Sequence, residues 1–354
     1  MSRRNRLISL LLIGVVAVCC GGCRKHPAAV VAKQAPPPLP NRLVHVLCYH
    51  GITPQPNNSY ETSVVDFNAQ LQALSADGYH TISCAQLADY LAGVTDIPAK
   101  SVIITFDDGK ASVLGVAKSI LDRYQFKASL FLITSAVGGT GNLSWADVKQ
   151  LAAEGYEIGS HTKTHLNLTK VPKGSTLTEQ QAKVRKEMSD SAEAIEAQLG
   201  QAPVALAYPY GNYDNFAMRA AKDAGYRVAF SIDPGAIDSQ SDPWTLPRKM
   251  IVKGTSLKSL RRALAVEPLH LSGVTPTIGL RYGTKAYKLQ ARVTDAEALS
   301  TLGAEAGKGT RLKVDAQTSQ ITVTSTLNKG ANLVRVFSSG KPRRETGWIV
   351  VCDP

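Results

Sequence analysis

Ser101-Val102-Ile103-Ile104-Thr105-Phe106-Asp107-Asp108-Gly109 is the stretch on which the fold turns. Three β-branched aliphatics run directly into two adjacent carboxylates and a glycine. That is the pattern of a buried parallel strand carrying charge at its C-terminal end, where α/β sheets and barrels place their chemistry. Two like charges side by side are costly to hold without a positive partner, and a divalent cation would supply one. Successive strand side chains point to opposite faces, so both carboxylates reach one site only if the chain leaves strand geometry there, as Gly109 permits. Alone, Asp-Asp-Gly also closes ordinary turns, so residues elsewhere in the chain must decide.

On the N-terminal side, Leu43 to Cys48 reads as an aliphatic strand ending in Tyr49-His50-Gly51. Phe67, Leu71 and Leu74 recur at helical spacing between Val65 and Gly78, and a short strand from Tyr79 to Ser83 and a helix from Ala85 to Leu91 follow. On the C-terminal side the alternation continues: helix Ala111 to Tyr124, strand Ala128 to Ile133, helix Ser144 to Glu154, strand Tyr156 to Ser160. A βαβα rhythm over this length argues for a parallel α/β barrel or a doubly wound sheet.

The strand ending at Ser160 releases into His161-Thr162-Lys163-Thr164-His165. Two histidines four apart share one helical face or one side of a tight loop, and either geometry lets both imidazoles reach one metal. With Asp108 they form a two-histidine, one-carboxylate set that leaves coordination positions open. The charged helix Thr178 to Leu199 reads as a solvated outer helix. Beyond it, Tyr208-Pro209-Tyr210-Gly211 follows an aliphatic strand and could offer aromatic walls and a rigidly aimed backbone N–H.

With these motifs assembled, the region from about Leu43 to Val266 resembles the polysaccharide deacetylase family, the family-4 carbohydrate esterases. Thr105 to Gly109 matches the first motif, His161 to His165 the second, and Leu206 to Gly211 part of the third. The resemblance implies a distorted (β/α)7 barrel and hydrolysis of acetamide groups on N-acetylated glycans. Carried over by position, Asp108, His161 and His165 would bind a divalent metal, zinc most often, with cobalt or nickel as alternatives. Asp107 would be the general base, and the Tyr210 backbone N–H would stabilise the oxyanion, with Tyr208, Pro209 and Tyr210 against the substrate. Ala207 stands where the family usually has an arginine that orients the base, and Leu166 replaces a usual proline. The late Leu-x-His that commonly supplies the acid has only Leu269-His270 as a counterpart. The permuted poly-N-acetylglucosamine deacetylase-like branch lacks that arginine and takes its acid from the first strand, a place that His50 fills.

The first 23 residues read as a lipoprotein-type leader: Arg3, Arg4 and Arg6 precede an apolar run from Leu7 to Val18, and Cys20-Gly21-Gly22-Cys23 resembles a lipobox, with Cys20 in place of the usual leucine and Cys23 as the lipidated residue; an ordinary secretory cleavage nearby is the alternative. The apolar run falls short of the roughly 20 residues a spanning helix needs. Residues 24–42 form a Pro-rich spacer. Ser256 to Val266 reads as the barrel's last helix, closed by Glu267-Pro268. After Pro276 the pattern becomes alternating apolar and polar strands separated by turn residues, which places a small all-β, antiparallel, sandwich-like domain at 277–354, with Trp348 and Tyr287 in its core. A formal charge of +12 fits an anionic surface or cell-wall polymer, and no motif points to nucleic acid. The three cysteines past the leader, Cys48, Cys84 and Cys352, define no disulfide framework. The sequence thus points to an exported, membrane-anchored glycan N-deacetylase facing periplasm or exterior, of open oligomeric state. A catalytically weak glycan-binding lipoprotein is the alternative.

Overall fold

The computed structural model describes residues 39–353; the leader, Cys23 and most of the proline-rich spacer lie outside them. Strand Ser101–Phe106 is buried along its whole length, as its uninterrupted apolar run requires. Around it stands a parallel sheet in the order Lys249–Met250, Val44–Tyr49, Ser101–Phe106, Ser129–Leu132, Glu157–Ser160, Ala205–Ala207, Val228–Phe230, with His80–Thr81 as a short side strand. The two edges of this seven-stranded path meet through one bridge, between Phe230 and Leu246, so the barrel is distorted and thinly closed at that seam.

Helices cover the outside. The longest, Leu177–Leu199, begins with a capping box in which Thr176 and Glu179 satisfy each other's backbone, and it ends at left-handed Gly200. The helix expected from Ala111 to Tyr124 instead opens with a π-helical stretch, Val113–Ala117, before α-helix Lys118–Arg123. π-Turns of this kind are frequent beside functional sites, and this one follows Asp107-Asp108-Gly109 closely. Among the described residues no helix is long and apolar enough to cross a membrane.

The C-terminal strands form two sheets. One runs Val266–Pro268, Arg343–Cys352, Gly330–Ser338, Leu302–Glu305, with Arg281–Tyr282 on the last strand. The other runs Leu271–Thr275, Ala286–Val293, Gln320–Thr326, Lys308–Asp315. Ala286–Val293 alternates exposed and buried residues without a break, as a half-buried strand should. Trp348 and Tyr287 lie in the core, 2% and 3% exposed.

Two expectations change here. The sandwich starts before residue 277, because Val266–Pro268 pairs with the final strand, Arg343–Cys352, and Leu271–Thr275 pairs with Ala286–Val293. The last barrel helix therefore stops at Ala263, and what read as its C-terminal turn is strand. The domain is also not wholly antiparallel, since Val266–Pro268 and Arg281–Tyr282 lie parallel to the final strand.

Barrel and sandwich share one hydrophobic cluster, in which Val184, Met188, Tyr213 and Ala217 pack with Tyr287, Val334, Val336 and Trp348. Polar ties reinforce the joint: Arg281 pairs with Asp214 at 2.7 Å and donates to the Thr169 carbonyl at 2.9 Å. Fully burying one large apolar side chain contributes about 1.5–3 kcal/mol, so a joint of this composition holds the two parts as one body.

Candidate active site

The site forms where the strands Val44–Tyr49, Ser101–Phe106, Glu157–Ser160 and Ala205–Ala207 end, around a cavity of about 520 Å³. Asp108 and Gly109 both take left-handed backbone, φ 69° and 70°. That departure from strand geometry lets the two aspartates serve one site: Asp107 Oδ2 and Asp108 Oδ1 each lie 3.8 Å from His161 Nε2. At Gly109 a Cβ would approach Leu132 Cδ2 to 3.0 Å, a tight contact that adds to the strain any side chain would meet at this φ.

His161 donates from Nδ1 to the Ala207 carbonyl at 2.8 Å. A carbonyl only accepts, so the proton sits on Nδ1 and the Nε2 lone pair faces the carboxylates, as metal ligation requires. His165 stacks edge-on against it at 4.7 Å. Burial, with the neighbouring His161 adding to it, pushes His165 down to about 4, so its ring is neutral and has a free lone pair near pH 7. The two histidines share a tight loop, not a helix, with Thr162 and His165 at φ 64° and 62°. Helix Leu177–Leu199 secures that loop: Thr164 donates twice to Glu187, from N and Oγ1, each at 2.7 Å, and Lys163 pairs with Asp190 at 2.8 Å. The charged face read as merely solvated therefore positions the histidines.

Ligand atoms of Asp108, His161 and His165 all lie within 4.8 Å of one another. Two imidazoles and a carboxylate suit zinc and comparable divalent ions and leave a position open. Cys48, His50 and Asp107 are equally close. Burial pushes the Cys48 thiol far up, which keeps it protonated, and the Asp107 carboxylate is already occupied.

Its occupant is Arg248, which the sequence reading missed. Arg248 donates from Nη1 and Nη2 to the two oxygens of Asp107, at 2.7 and 2.9 Å, and from Nε to the Ser231 carbonyl. Both side chains are almost wholly buried. Burial alone would raise Asp107, but Arg248, helped by His161 and His50, holds it well below the usual carboxylate range. The arginine absent at Ala207 is thus replaced by one entering from the opposite edge of the sheet.

His50 follows strand Val44–Tyr49 and lines the same cavity. Its Nδ1 is buried with no hydrogen-bond partner among the described residues, and burial lowers its pKa. Its ring lies 5.3 Å from Tyr60, an exposed aromatic on the rim. Tyr210, 56% exposed with φ 60°, stands over His165 on the other side, with ring centroids 4.5 Å apart. Of the three residues expected against the substrate, Tyr208 and Tyr210 line the cavity. Tyr208 is fully buried, stacked on Tyr213 and donating to the Trp244 carbonyl at 3.1 Å, and Pro209 is buried beside it. They hold the loop, and Tyr210 alone of the three offers an exposed ring. His270 lies outside the cavity, between Asp238 at 2.9 Å and Asp295 at 3.4 Å.

Residues 95–229 match the family model described as polysaccharide deacetylase. YxkH of Bacillus subtilis (strain 168), described under the same family, is 30% identical over 229 residues, covering 65% of this chain and 77% of that protein. The chain belongs to the polysaccharide deacetylase family. A poly-beta-1,6-N-acetyl-D-glucosamine N-deacetylase from Staphylococcus epidermidis is 29% identical over 200 residues, 54% of this chain and 68% of that protein. Among solved structures, the Streptococcus pyogenes deacetylase PplD, in complex with acetate, aligns at a TM-score of 0.57 with 25% identity, over 63% of this chain and 98% of that one. IcaB from Ammonifex degensii shares the fold at a TM-score of 0.56 and 24% identity, over 65% of this chain and 98% of that one. This deacetylase keeps its motif residues inside the matched segment, whereas His50 and Arg248 fall on either side of it.

Proposed function

We propose that this polysaccharide deacetylase is a metal-dependent N-deacetylase of N-acetylglucosamine polymers, lipid-anchored through Cys23 and facing the periplasm or exterior. The observation that carries the reading is the Asp108, His161, His165 set standing beside an Asp107 that Arg248 grips at both oxygens. The named activity of the staphylococcal relative supports the choice of glycan. Zinc fits the two-imidazole, one-carboxylate donor set, with cobalt or nickel as alternatives.

A divalent ion held there would polarise the acetamide carbonyl and make a water nucleophilic near neutral pH. The chain's own groups do the rest. Asp107, kept ionised by Arg248, accepts the proton of the attacking water, while Arg248 fixes which carboxylate edge faces the acetamide. The Tyr210 N–H stabilises the developing oxyanion. His50 gives a proton to the leaving amine, since expulsion of an unprotonated amide nitrogen is prohibitive, and the buried, unpartnered Nδ1 suits a group whose partner arrives with substrate. Tyr60 and Tyr210 bracket the cavity and present faces on which sugar rings can stack.

Ala207 and the missing late histidine suggested a scaffold that binds glycan without cleaving it; the Arg248 pair with Asp107 weighs against the first motive, and the second rests on His50 serving as the acid. The test is acetate release from poly-N-acetylglucosamine, chitin oligomers and peptidoglycan glycan, with metal content measured alongside. Asp107→Asn and His50→Ala should each lower the rate by about 10²–10⁴-fold with bound metal unchanged. Failure to release acetate from any of these glycans, even with zinc, cobalt or nickel restored, would leave only glycan binding.

A further inference from the structure

A second cavity, of about 440 Å³, lies where barrel and sandwich meet, behind the Arg248–Met250 segment that also walls the catalytic cavity. Its charged lining comes from both parts. Lys249 stands on the edge strand of the barrel and Arg262 on helix Leu257–Ala263; Arg335, Arg343, Glu305 and Glu345 come from sandwich strands. Counting Arg248, which is committed to Asp107, five cations face two carboxylates. Arg335 engages both carboxylates, with Glu305 at 3.2 Å and a close pair with Glu345.

The remaining cations have little of their own to bind. Arg343 touches the already occupied Glu345 only at 3.4 Å, and its Nε is buried without an acceptor among the described residues. Lys249 and Arg262 are exposed and make no ion pair among the described residues. The lining also includes the apolar residues Val46, Leu264 and Leu333, the last 43% exposed. Planar guanidinium groups with spare donors match carboxylate and phosphate oxygens, and the volume falls in the range of small-molecule sites.

We propose that this cavity binds a small ligand that carries an oxyanion, a carboxylate or a phosphate, on a compact organic or inorganic body. Its donors come from both parts of the protein, so an occupant would also bridge barrel and sandwich. The site lies apart from the metal set and needs no assumption about the reaction.

Isothermal titration of the intact chain with inorganic phosphate and, separately, with glucuronate tests this, with glucose as the uncharged control. Saturable binding of phosphate alone, glucuronate alone or both is expected, and the pattern identifies which oxyanion the site prefers. The Arg262→Glu, Lys249→Glu pair removes no ion pair and should weaken that binding about tenfold or more. Lys173→Glu with Lys329→Glu changes net charge equally at exposed positions elsewhere and should leave it intact. If neither anion binds saturably, or if both double variants weaken binding alike, the cavity is not a site and the anions follow the overall charge.

Discussion

In the barrel, the segments around the cavity contain left-handed non-glycine residues, Asp108, Thr162, His165 and Tyr210, and bury an ion pair. In the sandwich, strands Ala286–Val293, Gln320–Thr326 and Gly330–Ser338 alternate regularly and put Leu289, Val323 and Val334 inside. Each left-handed non-glycine residue costs on the order of 1 kcal/mol, a cost tolerated only where surrounding contacts determine the backbone. One region follows the preferences of its own residues; the other is held against them by its neighbours. The contrast teaches where mutation should be felt as lost chemistry and where only as lost stability.

Arg248→Met should break this contrast most forcefully. It leaves the Asp107 carboxylate buried without its guanidinium and should cost about 3–5 kcal/mol of stability, read from the urea midpoint, as well as activity. Adding Asp107→Asn removes the stranded charge, so the double variant should recover much of the stability while remaining inactive. If the single variant were as stable as wild type, the pair would not govern the site.

Leu289→Ala probes the other region. The residue is fully buried in a regular strand, and the truncation should cost about 2–5 kcal/mol while metal uptake per folded molecule stays at the wild-type level. A loss of metal in the folded fraction would show that the sandwich shapes the site directly.

Asp233 gives the smallest effect, at the boundary between the two regions. Burial, opposed by hydrogen bonds from Ser231 and Tyr213, pushes it up to about 6, and Tyr213 also accepts from the Ile349 N–H of the sandwich. Because the folded protein holds this proton more tightly than the unfolded chain, its contribution is complete below about pH 4 and declines as pH rises through about 6, by on the order of 3 kcal/mol. Asp233→Asn should flatten the stability profile across that window. An unchanged slope would assign the dependence to other groups.

The same contrast explains what the sequence made legible. Strands with a strict period, such as Ala286–Val293, and motifs compact in sequence, Asp107-Asp108-Gly109 and His161 to His165, could be read from neighbouring residues alone. Arg248 could not, because its partner lies 141 residues away and nothing around Pro247-Arg248-Lys249 distinguishes it from a surface cation. Val266–Pro268 looked like the end of a helix because its pairing partner begins at Arg343. Tyr208 reads like Tyr210 in sequence, and only the left-handed turn at Tyr210 sends one ring inward and the other outward. Gly211 keeps that turn: it has φ 69°, and a Cβ there would come within 2.3 Å of Ile232 Cγ1.

The family segment, residues 95–229, carries Asp107, Asp108 and both metal-facing histidines but neither His50 nor Arg248. A fragment limited to that segment would lack strand Val44–Tyr49, which pairs with Ser101–Phe106, together with the guanidinium that grips Asp107 and the proposed proton donor. The matched segment and the cavity are thus not the same object, because His50 and Arg248, which wall the cavity, are supplied from beyond the segment's ends.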